Sequence, residues 1–190
     1  MNKLIVLDRD GVINEDSDAY VKSVDEWLPI PGSIEAIARL SQAGYIIVVA
    51  TNQSGIGRGL FDLDDLEAMH AKLSDLVLDA GGELAGIFYC PHKPEDNCNC
   101  RKPASGLFDA IAQEFNLESL SGCPTVGDSL RDLQAGLSHL CIPILVRTGK
   151  GKKTESQLME QKNQALQNVL IFDDLSLAVN YLLANQEKFE

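Results

Sequence analysis

The amino-acid sequence predicts an α/β protein, a doubly wound, mostly parallel sheet with helices on both faces. Three features point there. Short apolar runs, such as residues 3–8 and 45–50, lack polar alternation, which marks strands buried on both faces. Between them lie segments whose apolar residues recur every three or four positions, as on amphipathic helices. Each run also stops abruptly in charged or hydroxyl residues, and in open α/β sheets ligands collect outside the carboxyl ends of the strands.

Residues 3–8 (KLIVLD) form the first strand. An irregular stretch to Pro31 precedes a helix over 32–44, where Ile34, Ile37, Ala38 and Leu40 share a face and Gly44 supplies the stop. The second strand, 45–50, runs into a Gly-rich turn, TNQSGIGRG. A helix from about 62 to 80 follows, with Leu63, Leu66, Met69, Leu73, Leu76 and Val77 on one stripe. Strand three spans 84–90. Residues 91–103 carry almost no apolar side chains and read as a loop before a helix over 106–115. A strand at 123–128, a helix at 129–138, a strand at 141–147, a short strand near 169–172 and a helix over 174–185 complete the order. The polar stretch 149–168 is expected to be the least ordered. A length of 190 residues suits a single domain, 1–190, and the short connections leave no room for a cap domain over the sheet.

With 16 basic against 28 acidic residues the formal charge is −12, which argues against nucleic acid as the main partner, since that binding rests on cationic side chains. No apolar run approaches the roughly 18 residues of a membrane helix. A soluble, cytoplasmic, monomeric protein is expected. Arg58, Lys93, Arg101, Lys102, Arg147, Lys150, Lys152 and Lys153 fall in segments placed near the strand carboxyl ends, so an acidic body with a basic mouth would draw in a small anion.

Strand one is followed by Asp8-Arg9-Asp10-Gly11, strand two by Thr51-Asn52-Gln53-Ser54, the polar loop by Arg101-Lys102, and strand four by Asp128-Ser129 with Asp132 beyond. Gathering Asp8, Asp10 and Asp128 without a cation would set like charges against each other. Mg2+ resolves that conflict, because it takes oxygen ligands and binds readily where phosphate oxygens complete its shell. Lys102 and the Thr51 hydroxyl suit the remaining phosphoryl oxygens. A carboxylate in line with phosphorus can attack it, and a second one two residues on can move the proton. Separately, Cys90, His92, Cys98 and Cys100 supply three thiolates and an imidazole, a closed tetrahedral set for Zn2+ that would fold the loop at about 90–103. Cys123 and Cys141 lie in strands and read as buried small residues. Neither His70 nor His139 is given a role.

The order DRDG, TNQ, a lone lysine and GDSLRD resembles the haloacid dehalogenase superfamily of phosphatases over residues 4–148. The resemblance implies that Asp8 is the nucleophile and Asp10 the general acid and base, whose backbone carbonyl also binds Mg2+. It further implies that Thr51 and Lys102 bind the phosphoryl group and that Asp128 is the third protein ligand of the metal. Among zinc-loop members, DRDGVIN, TNQSGIGRG, the CPH segment, CRKP and LVRTGKG are most similar to the heptose 1,7-bisphosphate 7-phosphatases. That likeness implies a phosphorylated sugar cleaved at C7, with Asp18, Tyr20, Asn52, Gln53, Ser54 and Arg101 in contact with it. Two departures stand out: the EDSDAY segment is a residue longer than usual, and Ser129 stands where a lysine often follows the metal-binding aspartate. Histidinol phosphate is the alternative substrate. A phospho-accepting receiver domain would carry its aspartate at the end of the third strand, where Cys90 stands, and a zinc-stabilised interaction module would need no DxD.

Overall fold

The computed structural model describes residues 3–160 and 166–188. Its six strands are β1 (Leu4–Leu7), β2 (Ile46–Asn52), β3 (Gly86–Cys90), β4 (Pro124–Gly127), β5 (Ile142–Val146) and β6 (Leu170–Phe172). All pair in parallel, in the order β3-β2-β1-β4-β5-β6. The chain builds outward from β1 to one edge and then returns to lay β4 on the other flank. The order therefore reverses between β1 and β4, and a crevice opens outside their carboxyl ends. There the Asp8 N–H donates to Val126 O at 2.9 Å, which brings the residues after β1 and β4 together.

The helices are α1 (Ser33–Gln42), α2 (Ser54–Gly57), α3 (Leu63–Asp79), α4 (Gly106–Glu114), α5 (Leu130–Ser138), α6 (Gly151–Glu160) and α7 (Leu175–Ala184). Period-two alternation divides the strands between two layers. Ile5, Leu7, Ile47, Val49, Ile144 and Val146 face the buried stripes of α1, α3 and α7, whereas Leu4, Val6, Val48 and Ala50 face Leu107, Phe108 and Ile111 of α4. Each fully buried aliphatic side chain contributes about 1.5–3 kcal/mol, and this two-sided burial holds the strand ends in place. The α3 stripe runs through Leu66, Met69, Leu73 and Val77; Leu63, its first residue, remains 47% exposed because it stands at the open helix start beside the Asp62 cap.

Two segments differ from expectation. The Gly-rich turn contains the short helix α2. Residues 151–160, within the stretch expected to be the least ordered, form α6, while 161–165 lie outside the described residues. The α6 sequence is too polar to show a stripe: only Gly151 and Thr154 are buried. Polar ties hold it instead, with Arg147 Nε and Nη2 donating to Glu155 at 2.7 Å each and Thr154 Oγ1 donating to Asp128 O at 2.8 Å.

The two long loops at the crevice are built differently. Residues 9–32 bury Val12, Ile13, Val21, Trp27 and Ile30, and Lys72 of α3 donates from Nζ to Val24 O and Trp27 O at 2.8 Å each. In residues 91–105 only Lys102 is buried. Among the described residues no helix is long and apolar enough to cross a membrane.

Candidate active site

A cavity of about 190 Å3 opens at the β1/β4 switch point, with Asp8, Asp10, Thr51, Lys102, Asp128 and Asp132 among its lining. Asp18, Tyr20, Asn52, Gln53, Ser54 and Arg101 reach the same cavity. Every residue of the expected phosphoryl and sugar site thus shares one wall or another of a single crevice.

Lys102 is its organising cation. Nζ donates to Asp132 Oδ1 at 2.6 Å, to Asp8 Oδ1 at 2.9 Å and to Ala50 O at 2.6 Å, which uses all three N–H bonds. Burial works against its charge, but Asp132 and Asp8 hold the ammonium well above the ordinary lysine range. The same ion pair keeps Asp132 low against the pull of burial. Asp8 and Asp128 go the other way. Burial, followed by repulsion from Asp132, pushes Asp8 up to about 7, and burial together with Asp8 and Asp132 pushes Asp128 up to about 8.

One carboxylate oxygen each from Asp8, Asp128 and Asp132 lies within 4.8 Å of the others. Oxygen donors crowded into mutual repulsion fit a hard divalent cation, whose charge would return Asp8 and Asp128 to their ionised forms. Of the three, Asp132 is already committed to Lys102 and to Ser129, whose Oγ donates to Asp132 Oδ2 at 2.5 Å. Asp128 is gripped by the Lys150 N–H at 2.7 Å, and a Cβ placed on either Gly11 or Gly149 would fall 2.2 Å from its Oδ2.

Asp10 sits apart from this cluster. Its carboxylate accepts from Arg9 Nη2 at 3.0 and 3.1 Å, from Asn14 Nδ2 at 2.9 Å and from Gln53 Nε2 at 2.8 Å. Burial alone would raise it; Arg9, Asn14 and Gln53 outweigh that and hold it below the usual carboxylate range. Gln53 Nε2 also donates to Thr51 Oγ1 at 2.8 Å, and the Gln53 N–H is taken by Cys90 O. Asn52, besides lining the cavity, braces its neighbour: Nδ2 donates to Lys102 O and Oδ1 accepts from the Lys102 N–H, both at 3.0 Å, so its amide fixes the lysine backbone.

The basic mouth is also narrower than expected. Arg147 is tied to Glu155 and Asp173, Lys152 and Lys153 lie on α6, and Lys150, which does line the cavity, is paired with Asp16 at 2.9 Å. Arg101 remains at the crevice, with Nη1 donating to His92 O at 3.2 Å; burial and the neighbouring Arg131 lower its pKa. The sequence reading missed the anchoring roles of Asp132 and Arg9. The first had a signal, because Ser129-x-x-Asp132 is a capping box at the start of α5.

At the rim, Cys90 Sγ lies 3.6 Å from His92 Nδ1, 3.6 Å from Cys98 Sγ and 3.0 Å from Cys100 Sγ; Cys100 is 3.2 Å from His92 Nδ1 and 3.5 Å from Cys98. No disulfide joins them. Tetrahedral coordination with bonds of about 2.3 Å to sulfur sets ligand atoms roughly 3.8 Å apart, so this donor set fits one zinc-sized ion.

Comparison with known proteins agrees with this geometry. The profile of the polynucleotide kinase 3 phosphatase family matches residues 3–131, and a HAD-hydrolase-like profile matches 99–177. A D-glycero-β-D-manno-heptose-1,7-bisphosphate 7-phosphatase from Pseudomonas aeruginosa is 54% identical over 180 residues, covering 95% of this chain and 97% of its own. The enzyme of that name from Neisseria meningitidis serogroup B is 53% identical, covering 95% of both chains. The crystal structure of the D,D-heptose 1,7-bisphosphate phosphatase of B. bronchiseptica, complexed with magnesium and phosphate, superposes with a TM-score of 0.90 at 49% identity, covering 96% of this chain and 98% of that one.

Proposed function

The chain belongs to the haloacid-dehalogenase-type phosphatases matched by the polynucleotide kinase 3 phosphatase profile, and within them to the D-glycero-β-D-manno-heptose-1,7-bisphosphate 7-phosphatases, phosphoric monoester hydrolases; from that premise we propose that it cleaves the C7 phosphate of this sugar through an aspartyl phosphate on Asp8. The observation that carries the reading is the Lys102 ammonium held between Asp8 and Asp132, within the cavity that Asp10, Thr51 and Asp128 also line.

An Asp8 carboxylate oxygen forms a bond to phosphorus as the bond from phosphorus to the C7 oxygen breaks. Asp10 gives its proton to the departing sugar oxygen. Water then attacks phosphorus, Asp10 takes its proton, the bond to Asp8 breaks and orthophosphate leaves. In the free site Arg9 and Gln53 keep Asp10 ionised, which suits the second half of the cycle; an arriving phosphate dianion favours the protonated form that the first half needs. Lys102 and the Thr51 hydroxyl hold phosphoryl oxygens. Asp8, Asp128 and the Asp10 carbonyl would hold Mg2+, which when bound neutralises phosphoryl charge.

Arg101, on the loop that Cys90, His92, Cys98 and Cys100 organise around Zn2+, takes the C1 phosphate. Asp18 and Tyr20 face the sugar. We place this chemistry in the cytoplasm, whose reducing conditions suit five unpaired cysteines.

The test is kcat/KM, with and without Mg2+, for heptose 1,7-bisphosphate, fructose 1,6-bisphosphate, histidinol phosphate and a nucleotide. Heptose bisphosphate should lead, Arg101→Ala should reduce its value most, and Asp8→Asn should abolish turnover of all four. A lead for histidinol phosphate would overturn the sugar assignment, and Asp8→Asn activity within tenfold of the parent would overturn the covalent mechanism.

A further inference from the structure

Behind Asp10 lies a contact that the reaction outlined above does not use. Arg9 is buried to 1% exposure, and its guanidinium divides its donors between two partners. Nε and Nη2 face the Asp10 carboxylate, at 3.3 Å and at 3.0–3.1 Å, while Nη1 lies 3.3 Å from Nε2 of His70 on α3. A guanidinium has only donors, so this contact is a hydrogen bond only when Nε2 offers its lone pair. His70 is therefore the neutral imidazole with its proton on Nδ1. Burial and the adjacent Arg9 charge agree, lowering its pKa to about 4. The ring packs against Tyr89 of β3 at 6.0 Å between centroids, and α3 is itself seated on the sheet by Leu66, Met69 and Leu73. The acceptor thus stands on a fixed element, whereas Arg9 has a long side chain with several rotamers.

We propose that His70 is a positioning residue for proton transfer: it accepts from Arg9, fixes the guanidinium fork, and through that fork sets the aim of Asp10 on the leaving oxygen. The proposal rests on the reading of Asp10 as general acid. Arg9 without its acceptor would keep its charge but lose the contact that fixes its far end, and the Asp10 carboxylate, still held by Asn14 and Gln53, would lose the fixed direction of its third partner. Misplacement of a catalytic group by about 1 Å costs on the order of a hundredfold in rate.

A poorly leaving alkoxide needs the proton from Asp10, whereas a nitrophenolate departs without it. The two substrate types therefore separate aim from general damage. The experiment measures kcat/KM for the sugar bisphosphate and for p-nitrophenyl phosphate in the wild type, Asp10→Asn, His70→Phe and His70→Gln, each as the metal-loaded full chain. Phe keeps the ring against Tyr89 without an acceptor; Gln restores an acceptor close to the Nε2 position.

Asp10→Asn should lose far more on the sugar phosphate than on the aryl phosphate. His70→Phe should show the same bias at smaller size, about ten- to a hundredfold on the sugar and less than threefold on the aryl ester. His70→Gln should recover most of the loss, and His70→Phe should add nothing in an Asp10→Asn background. Absence of leaving-group bias in Asp10→Asn would refute the general-acid reading and this proposal with it. If Asp10→Asn shows the bias while His70→Phe is unchanged, or loses equally on both substrates, the general acid stands and the role of His70 falls. Should His70→Phe fail to fold, the decision passes to His70→Gln and His70→Leu under the same criteria.

Discussion

The loops after β1 and β3 do similar work by different physics. Both project polar side chains over the sheet edge, Asp10, Asp18 and Tyr20 from one and Arg101 and Lys102 from the other. The first loop is a small outpost of the hydrophobic core, with Trp27, Val12 and Ile13 wholly buried, Ser33 Oγ donating to Ile13 O at 2.7 Å and Lys72 closing two carbonyls. The second has no buried apolar side chain of its own between 91 and 105 and gathers instead around three thiols and an imidazole, those of Cys90 at the end of β3 and of His92, Cys98 and Cys100. A loop can be ordered by removing apolar surface from water or by a cross-link, and the choice decides what destroys it.

Stripping zinc, or Cys98→Ser, should break the comparison most sharply. Amide exchange should accelerate at Gly106, whose N–H donates to Asn99 O, while Ile30, bonded to Ile13 O, stays protected. Lys102 is held independently by Asn52 and Ala50 O, so the loss should fall chiefly on Arg101. The rate on a sugar bisphosphate should drop about 10–100-fold, and that on an aryl phosphate far less. Metal analysis should show one zinc per chain beforehand; equal loss of protection in both loops would deny the division.

Trp27→Ala attacks the other side. It empties a fully buried site, so a loss of about 3–5 kcal/mol in denaturant unfolding is expected, with zinc content unchanged. A cost below about 1 kcal/mol would mean that the first loop is not anchored by its apolar residues.

The smallest effect concerns the carboxylates between the loops. Asp8 and Asp128 are raised in the fold to about 7 and about 8, against roughly 3.9 in an unfolded chain. Groups raised on folding contribute stability that is full below the unfolded value and lost as pH rises through the folded one. In Mg2+-free buffer, without a chelator so that zinc is retained, Tm should fall by a few degrees between pH 6 and pH 8.5. Saturating Mg2+ should flatten that slope. Identical slopes with and without Mg2+ would place the cation elsewhere.

The sequence was most legible where one force dominates. Strands β1 and β2 announced themselves as unbroken apolar runs, and α1 and α3 as stripes, because burial alone decides them. Residues at strand ends could be gathered from chain order once the sheet was known to be parallel. Helix α6 was hidden because ion pairs and a hydrogen bond to Asp128 O hold it, and such ties have no period. The link from His70 to Asp10 was hidden for a different reason: it runs through Arg9, 61 residues from His70 in the chain, and only the packing of α3 reveals it. Asn52 shows the limit of motif reading: its place at the crevice was legible, but the two bonds by which its amide holds the Lys102 backbone were not.

The walls around Asp128 bear on which cation the crevice admits. With Gly11 and Gly149 pressed against Oδ2 and the Lys150 amide bound to it, the carboxylate has little room to turn. Its rotational entropy is lost when the domain folds, so capturing an ion requires no further ordering of this side chain. A carboxylate that cannot swing also cannot readily present both oxygens, as the six to eight ligands around calcium often require, whereas magnesium accepts single oxygens at about 2.1 Å and completes its octahedron with water. Two missing methyl groups thus leave Asp128 one orientation at the crevice.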